Sequence, residues 1–498
     1  MLISYSLSPL TLLAASISAL ILYWFAHAVY VLYLHPLARF PGPKLWLLTQ
    51  VPFVRALRRG QFIHRIRELH AQYGPIVRWA PNEVSYVSPE AWKDIYGHHG
   101  AGKDFPRNPL WYPRSQNGAH TILSADNVSH ARIRKLLSRG FSETSLREQE
   151  PIIQEYMSML VARLRAHAQA GRPVSIGDYI QFATVDIAGE LIFGESFDCV
   201  ANEEAHQWIK VTFGFFKRLI HGGSFVFLVP WIRPLLPYII PKRVLEQAQQ
   251  RFAFSSGKAG KRLELGENAR HVDLVSHMFH NGKGLSRAEI DASADILISA
   301  GSETTATALT GILQYLLRTP ATMSRLQDEI RGAIRTADAL TLDNVNRLPY
   351  LTAVLHEGLR MCPPAPSIRP RLVPEGGAMV CGSWLPAGTS VGIPVWTALR
   401  YPANFGKPDT FLPERWLEAS QGGVSVQPHN TNVFMPFSYG PRDCLGRRLG
   451  WAELRVILAT LVWHFDMINR SPENRWEEQL EFVMWEKKPL MLQLTCRQ

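Results

Sequence analysis

The chain has 498 residues, 46% of them apolar and 19% charged, with a formal net charge of +11. This composition excludes a disordered chain and supplies a large core. No Lys/Arg-rich run is interleaved with aromatics, so the charge argues against nucleic acid and leaves an anionic membrane surface or an acidic protein as partner. The five cysteines, Cys199, Cys362, Cys381, Cys444 and Cys496, are widely spaced with no zinc-type pattern, as in a reducing compartment.

Residues 1–34 contain no Lys, Arg, Asp or Glu. As a helix, residues 10–34 would rise about 37 Å, enough to cross a hydrocarbon core of about 30 Å. Trp24, Tyr30 and Tyr33 sit toward its C-terminal end, where amphipathic rings suit an interface. The rival reading is a signal peptide cleaved near Ala26-His27-Ala28. Against it stand the missing basic n-region and an apolar run that is long and continues past Ala28. Arg39, Lys44, Arg55, Arg58, Arg59, Arg65 and Arg67 then precede the first acid, Glu68, which places the body on the cytoplasmic side. Pro36, Pro41, Gly42 and Pro43 make residues 35–45 a stiff exit, and residues 46–498 read as one domain. The sequons at Asn127 and Asn469 would stay unmodified on a cytoplasmic body.

In the body, Ile76-Val77-Arg78-Trp79, a Pro-Asn turn and Val84-Ser85-Tyr86-Val87 predict a hairpin. The segment 208–241 is rich in aromatics, including Phe213, Phe215, Phe216, Phe225, Phe227, Trp231 and Tyr238. It reads either as core or as a substrate-access roof that touches the membrane. Ser286-Arg287-Ala288-Glu289 is a capping box opening a helix that runs to Arg318, with Thr319-Pro320 as its stop. Its middle, 296–313, is apolar or small apart from Glu303, as in a helix buried through the body. Further helices are predicted over 349–361, ended by Pro363-Pro364, and over 447–464. Short strands are expected near 379–384 and at the C-terminus. The fold class is mainly α with small β-sheets.

The chemistry concentrates in Phe437-Ser438-Tyr439-Gly440-Pro441-Arg442-Asp443-Cys444-Leu445-Gly446. Cys444 lies just before a helix, whose free N–H groups and dipole favour a thiolate. Gly440 and Gly446 allow close approach to something large and flat, Phe437 can shield the sulfur, and Arg442 supplies a fixed positive charge. The segment resembles the cysteine-ligand signature of the cytochromes P450, FxxGxRxCxG, at every position. Glu357-Gly358-Leu359-Arg360 resembles the family's ExxR, and Phe411-Leu412-Pro413-Glu414-Arg415-Trp416 its later arginine segment. Ala300-Gly301-Ser302-Glu303-Thr304-Thr305 resembles its oxygen-activating helix segment. In order and spacing the resemblance covers residues 35–498. The anchor and proline-rich exit resemble microsomal members. His35-Pro36-Leu37-Ala38-Arg39-Phe40-Pro41-Gly42-Pro43, Ala80-Pro81-Asn82-Glu83-Val84 and Leu146-Arg147-Glu148-Gln149-Glu150 resemble the fungal secondary-metabolism group that includes isotrichodermin C-15 hydroxylase and averantin hydroxylase.

The resemblance implies the P450 fold and haem b, with Cys444 as axial thiolate. It also implies a buried Glu357–Arg360–Arg415 triad that holds the cysteine loop. Glu357 and Arg360, three apart, share a helix face in any case. The haem propionates would be met by His130 and Arg134, which are i, i+4 on one helix, and by Arg371 and Arg442. Glu303 and Thr304 would relay protons. The competing arrangement is a Thr304 hydroxyl bonded to the i−4 carbonyl and a Glu303 paired with a basic residue. The implied activity is monooxygenation of a hydrophobic small molecule, a terpenoid, polyketide or mixed intermediate, at the endoplasmic reticulum membrane. Electrons would come from a separate NADPH–cytochrome P450 reductase, with cytochrome b5 as a further donor. Arg442, Arg447, Arg448 and Lys407 would suit docking of an acidic partner. The alternative is a haem-thiolate isomerase or dehydratase that needs neither O2 nor a reductase.

Overall fold

Helix α1 (Pro9–Val29) begins at Ser8, whose hydroxyl accepts from Thr11 N (3.2 Å), with Pro9 preset for the first turn. In this computed structural model, which describes residues 8–100, 103–266, 273–279 and 284–497, no α1 residue is buried. With the π-helical turn Tyr30–Leu34 it forms a 26-residue apolar helix, about 39 Å long and sufficient to cross a bilayer.

The exit that follows is seated on the body. Val31, Leu37 and Phe40 are buried. The buried Arg78 donates through Nη1 to Val31 O (2.8 Å) and through its backbone N to Pro41 O (2.8 Å). A Cβ on Gly42 would lie 1.9 Å from Arg78 O, so only glycine fits this contact. A body lacking residues 1–29 should therefore be more stable than one lacking residues 1–34. The shorter form takes Val31 O away from a buried guanidinium, a loss of about 1–3 kcal/mol. Equal thermal midpoints for the two would show that the contact carries no weight.

The remaining principal helices are α2 (Asn127–Leu137), α3 (Glu143–Gln169), α4 (Ile176–Phe193), α5 (Gln207–Gly223), α6 (Lys242–Leu265), α7 (Arg287–Arg318), α8 (Pro349–Met361) and α9 (Arg447–His464). The capping box of α7 is complete, with Ser286 and Glu289 each accepting from the other's backbone N–H. α4 is almost wholly buried and packs along α7. α8 crosses α7 where glycines remove side chains. A Cβ on Gly358 would meet Ile312 Cγ1 at 2.2 Å, and one on Gly311 would meet Cys362 Sγ at 2.6 Å.

The strands are β1 (Ile76–Ala80), β2 (Glu83–Tyr86), β3 (Val174–Ser175), β4 (Arg371–Leu372), β5 (Ala378–Val380), β6 (Ser383–Leu385), β7 (Ser390–Gly392), β8 (Phe465–Asn469), β9 (Leu480–Phe482), β10 (Met484–Glu486) and β11 (Met491–Cys496). They form a four-stranded sheet in the order β1-β2-β7-β4, parallel only between β2 and β7, a three-stranded sheet β3-β11-β8, and the hairpins β5–β6 and β9–β10. The expected hairpin is β1–β2, paired from Ile76↔Tyr86, with an irregularity between Arg78 and Ala80. The architecture is mainly helical with small sheets, as expected.

The aromatic segment divides between its two readings. Trp208 is core and donates to Ser255 Oγ (3.1 Å), and Phe227 packs on Phe53 and Trp111. Trp231 and Tyr238 are exposed. The side chains of Phe213, Phe215 and Phe216 lie outside the described residues.

Candidate active site

The cysteine loop is shaped by one glycine. Gly440 has φ +76°, and a Cβ there would lie 1.9 Å from Tyr96 O, so the Cys loop and the 90–97 segment can touch only through glycine. The loop closes by Asp443 N donating to Gly440 O (3.0 Å) and Cys444 N donating to Phe437 O (2.8 Å). Gly446 precedes α9 as its N-cap residue. Cys444 is enclosed by protein, and yet its side chain keeps accessible surface, so it faces a space within the body. Cys199 and Cys362 are buried outright. The helix-end argument has the local sign right, since the Gly446 N–H and the Arg369 and Arg447 charges pull the Cys444 thiol down. Burial is the larger effect, however, and the net shift is upward. A thiol so placed ionises when a metal cation meets it.

The second wall is α7. Its residues on either side of the middle are buried, but Ala300 is exposed and Ile296, Gly301 and Thr304 are half-buried. Positions 296, 300 and 304 are one turn apart, so they form a single open face in the middle of a core helix. Thr305, next to Thr304, donates to Glu453 Oε2 (2.8 Å) and ties this part of α7 to α9. With that hydroxyl as its one stabilising bond, burial lifts the Glu453 carboxyl to about 8.

Both features of the competing arrangement are present here. The Thr304 hydroxyl donates to Ala300 O (2.7 Å). Glu303 Oε1 accepts from Lys487 Nζ (2.6 Å) and Thr307 Oγ1 (2.9 Å), while Oε2 is buried without a hydrogen-bond partner. Burial pushes the Glu303 carboxyl up, against Lys487 and Thr307, which pull it back.

His130, Arg134, Arg371 and Arg442 come together along a cleft of about 550 Å³. Arg442 donates to Asn127 Oδ1 (2.8 Å) and Ala125 O (2.7 Å), leaving Nη1 buried without a partner. Arg371 donates to Phe105 O (3.3 Å). A further cation, Arg107, was not expected; it donates to Leu123 O (2.7 Å), and its Nε is unpartnered. Among the described residues no carboxylate pairs with Arg107, Arg371 or Arg442. Burial and mutual repulsion lower Arg442 to about 9, Arg107 to about 10 and His130 to about 3. Such a cluster lacks anions, and a haem with two propionates would supply them.

Arg134 behaves otherwise. It donates to Asp443 O (2.7 Å) and pairs with the Asp443 carboxylate, which Arg447 also holds. Its guanidinium thus clamps α2 to the cysteine loop. Arg442 is buried and turned inward, so of the four cations expected on a docking face only Arg447, Arg448 and Lys407 are exposed.

Glu357, Arg360 and Arg415 form a closed network with no exposed side-chain surface. Arg360 spans both carboxylate oxygens (2.9 and 2.8 Å) and donates to the carbonyls of Leu399, Pro408 and Thr410. Arg415 Nε, Leu412 N and Trp416 Nε1 complete the shell of Glu357. Burial alone would raise the carboxyl, but Arg360 and then Arg415 hold it below its ordinary value. Trp416 packs at a tilt on Phe434 (4.6 Å), and His356 bridges Trp416 to Trp451, which lies against Phe437 (5.6 Å). The triad therefore reaches the cysteine loop through aromatic packing.

Residues 40–494 match the family model for cytochrome P450. The chain is 38% identical to averantin hydroxylase of Dothistroma septosporum over 489 residues, covering 97% of this chain and 91% of the relative. It is equally similar, 38%, to versicolorin B desaturase stcL of Emericella nidulans over 99% of both chains. It is also 38% identical to cytochrome P450 monooxygenase lcsI of Purpureocillium lilacinum, over 95% of this chain and 92% of the relative. With its cysteine loop, buried ExxR network and long central helix in place, the chain is a member of the cytochrome P450 family, enzymes that carry haem on a cysteine thiolate.

Proposed function

We propose that this enzyme inserts one oxygen atom from O2 into a hydrophobic small molecule, with haem b held by Cys444. The observation that carries the reading is an enclosed but accessible cysteine beside buried arginines, Arg107, Arg371 and Arg442, that no described carboxylate pairs with. When bound, the haem supplies the oxidative chemistry, because thiolate ligation favours O–O cleavage. The protein's part is to hold it and to exclude water. His130, Arg371 and Arg442, with Arg107, would hold the carboxylates, and Arg134 would hold the loop. Phe437 and Gly446 would flank the sulfur and the flat face. The open face of α7, with Ile296 and Ala300, would form an apolar substrate wall, and Thr304 and Glu303 would hold and move protons.

Electrons would come from NADPH–cytochrome P450 reductase, with cytochrome b5 as a second donor, docking against Arg447, Arg448 and Lys407. The Pro9–Leu34 helix would anchor the enzyme in the endoplasmic reticulum membrane, its body in the cytoplasm. The substrate would be a secondary-metabolite intermediate, terpenoid, polyketide or mixed; the names of relatives, a hydroxylase of averantin and a desaturase of versicolorin B, are compatible with a small-molecule substrate. One observation favours the isomerase or dehydratase reading: Thr304 and Glu303 are both already engaged in hydrogen bonds.

Titration of the haem-loaded enzyme tests the substrate class. Polycyclic apolar compounds should produce a low-spin to high-spin shift, and small charged compounds should not. A shift confined to the charged set would overturn the substrate assignment.

A further inference from the structure

The C-terminal segment touches the centre of α7 through one side chain. Lys487, the residue after β10, donates to Glu303 Oε1 (2.6 Å), Thr307 Oγ1 (2.9 Å) and Gln181 Oε1 (3.4 Å). Gln181 belongs to α4, so one ammonium joins α4, α7 and the β9–β10 hairpin. The Lys487 and Glu303 side chains are only 16% and 9% exposed. Lys487 is the one charged group among the described residues that acts on the Glu303 carboxyl; its other partner, Thr307, is a neutral hydroxyl.

The neighbouring residue points to a different element. Glu486 pairs with Lys217 of α5 (2.6 Å), and Phe482 of the same hairpin lies against His221 and Lys217 of α5. The hairpin itself is short. It has three paired positions, and its turn residue Val483 has φ +75°, a costly conformation for a β-branched side chain. Two consecutive residues on a slight hairpin thus connect the aromatic segment to the acid beside Thr304.

A buried carboxyl with a single cationic partner has two stable conditions. With the cation in contact it stays ionised, and with the cation withdrawn desolvation drives it to bind a proton. Glu303 Oε2, buried and without a hydrogen-bond partner, is the oxygen open to carry that proton.

We propose that Lys487 is a positioning residue that ties the β9–β10 hairpin to Glu303 and governs when that carboxyl takes up a proton, so that displacement of α5 reaches the centre of α7. This rests on the monooxygenase reading for its use in catalysis, but not for its test.

The test uses the full-length, haem-loaded chain and the variants Lys487→Met, Lys487→Arg, Glu303→Gln and the Glu303→Gln/Lys487→Met pair. Amide hydrogen exchange across residues 480–487 should quicken about tenfold or more in Lys487→Met and return toward the wild-type rate in Lys487→Arg. The double variant should be no faster than the faster single, because both remove one interaction. Infrared difference spectra should show a protonated-carboxyl band that is missing in Glu303→Gln. In Lys487→Met its titration midpoint should move up by about one pH unit or more, and in Lys487→Arg it should stay in place. Unchanged exchange, or faster exchange with an unmoved carboxyl midpoint, overturns the proposal. Both expected results in an enzyme that makes no O2-derived product would uphold it and count against the monooxygenase reading instead.

Discussion

Arg360→Leu should yield a chain that retains little haem and has lost most of its stability. The guanidinium, itself fully buried with the Glu357 carboxylate, makes two bonds to Glu357 and three to the carbonyls of Leu399, Pro408 and Thr410. Removing it orphans those carbonyls and leaves the Glu357 charge to Arg415, Leu412 N and Trp416 Nε1 alone. Breaking one member out of a buried ionic network costs about 3–5 kcal/mol, against a total stability of about 5–15 kcal/mol. The damage would spread toward the cysteine loop through Trp416, His356, Phe434 and Trp451. Arg360→Lys should rescue poorly, because an ammonium cannot reproduce a planar fork set across both carboxylate oxygens. Haem content per chain and the thermal midpoint check this together. Wild-type values for Arg360→Leu would remove the network from the account of how the loop is held.

What the sequence disclosed and what it hid follow from the range of the interactions. The ends of α7 and α8 were legible because capping boxes and prolines act within one turn, and the structure starts and stops those helices where such residues stand. The Glu357–Arg360 pair was legible from its spacing, while Arg415 entered only by resemblance, since 55 residues separate it from Arg360 and no local rule joins them. Arg107 sits in an Arg-Asn-Pro loop with no pattern of its own, and only the fold brings it to the other buried cations. Arg134 enters as a propionate partner by resemblance, its shared face with His130 being only consistent with that role. Its bond to Asp443, 309 residues away, is a tertiary fact. The same holds for Lys487 and Glu303, 184 apart. The Cys444 thiol shows the general point: the helix end lowers its proton affinity as the local motif says, and burial, which no motif reports, outweighs it.

The same cysteine is where the account is most exposed to refutation. Cys199, Cys362 and Cys381 have thiols pushed up by burial, Cys199 to about 12 and Cys381 to about 11, and Cys496 ends β11, opposite Phe465 of β8. None of them lies in a loop that combines a shielding phenylalanine, a glycine-only close approach and a buried arginine, as Cys444 does with Phe437, Gly440 and Arg442. In Cys444→Ser the cation cluster and apolar walls remain, so some haem should still bind, but a serine hydroxyl stays protonated where a thiolate is needed. The deciding measurement is the carbon monoxide difference spectrum of the reduced enzyme, recorded for the wild type and for Cys444→Ser at equal haem content. The wild type should show the red-shifted band of thiolate-ligated haem, and the variant should lose it entirely. A band of undiminished height in Cys444→Ser would place the ligand on another cysteine and contradict the account.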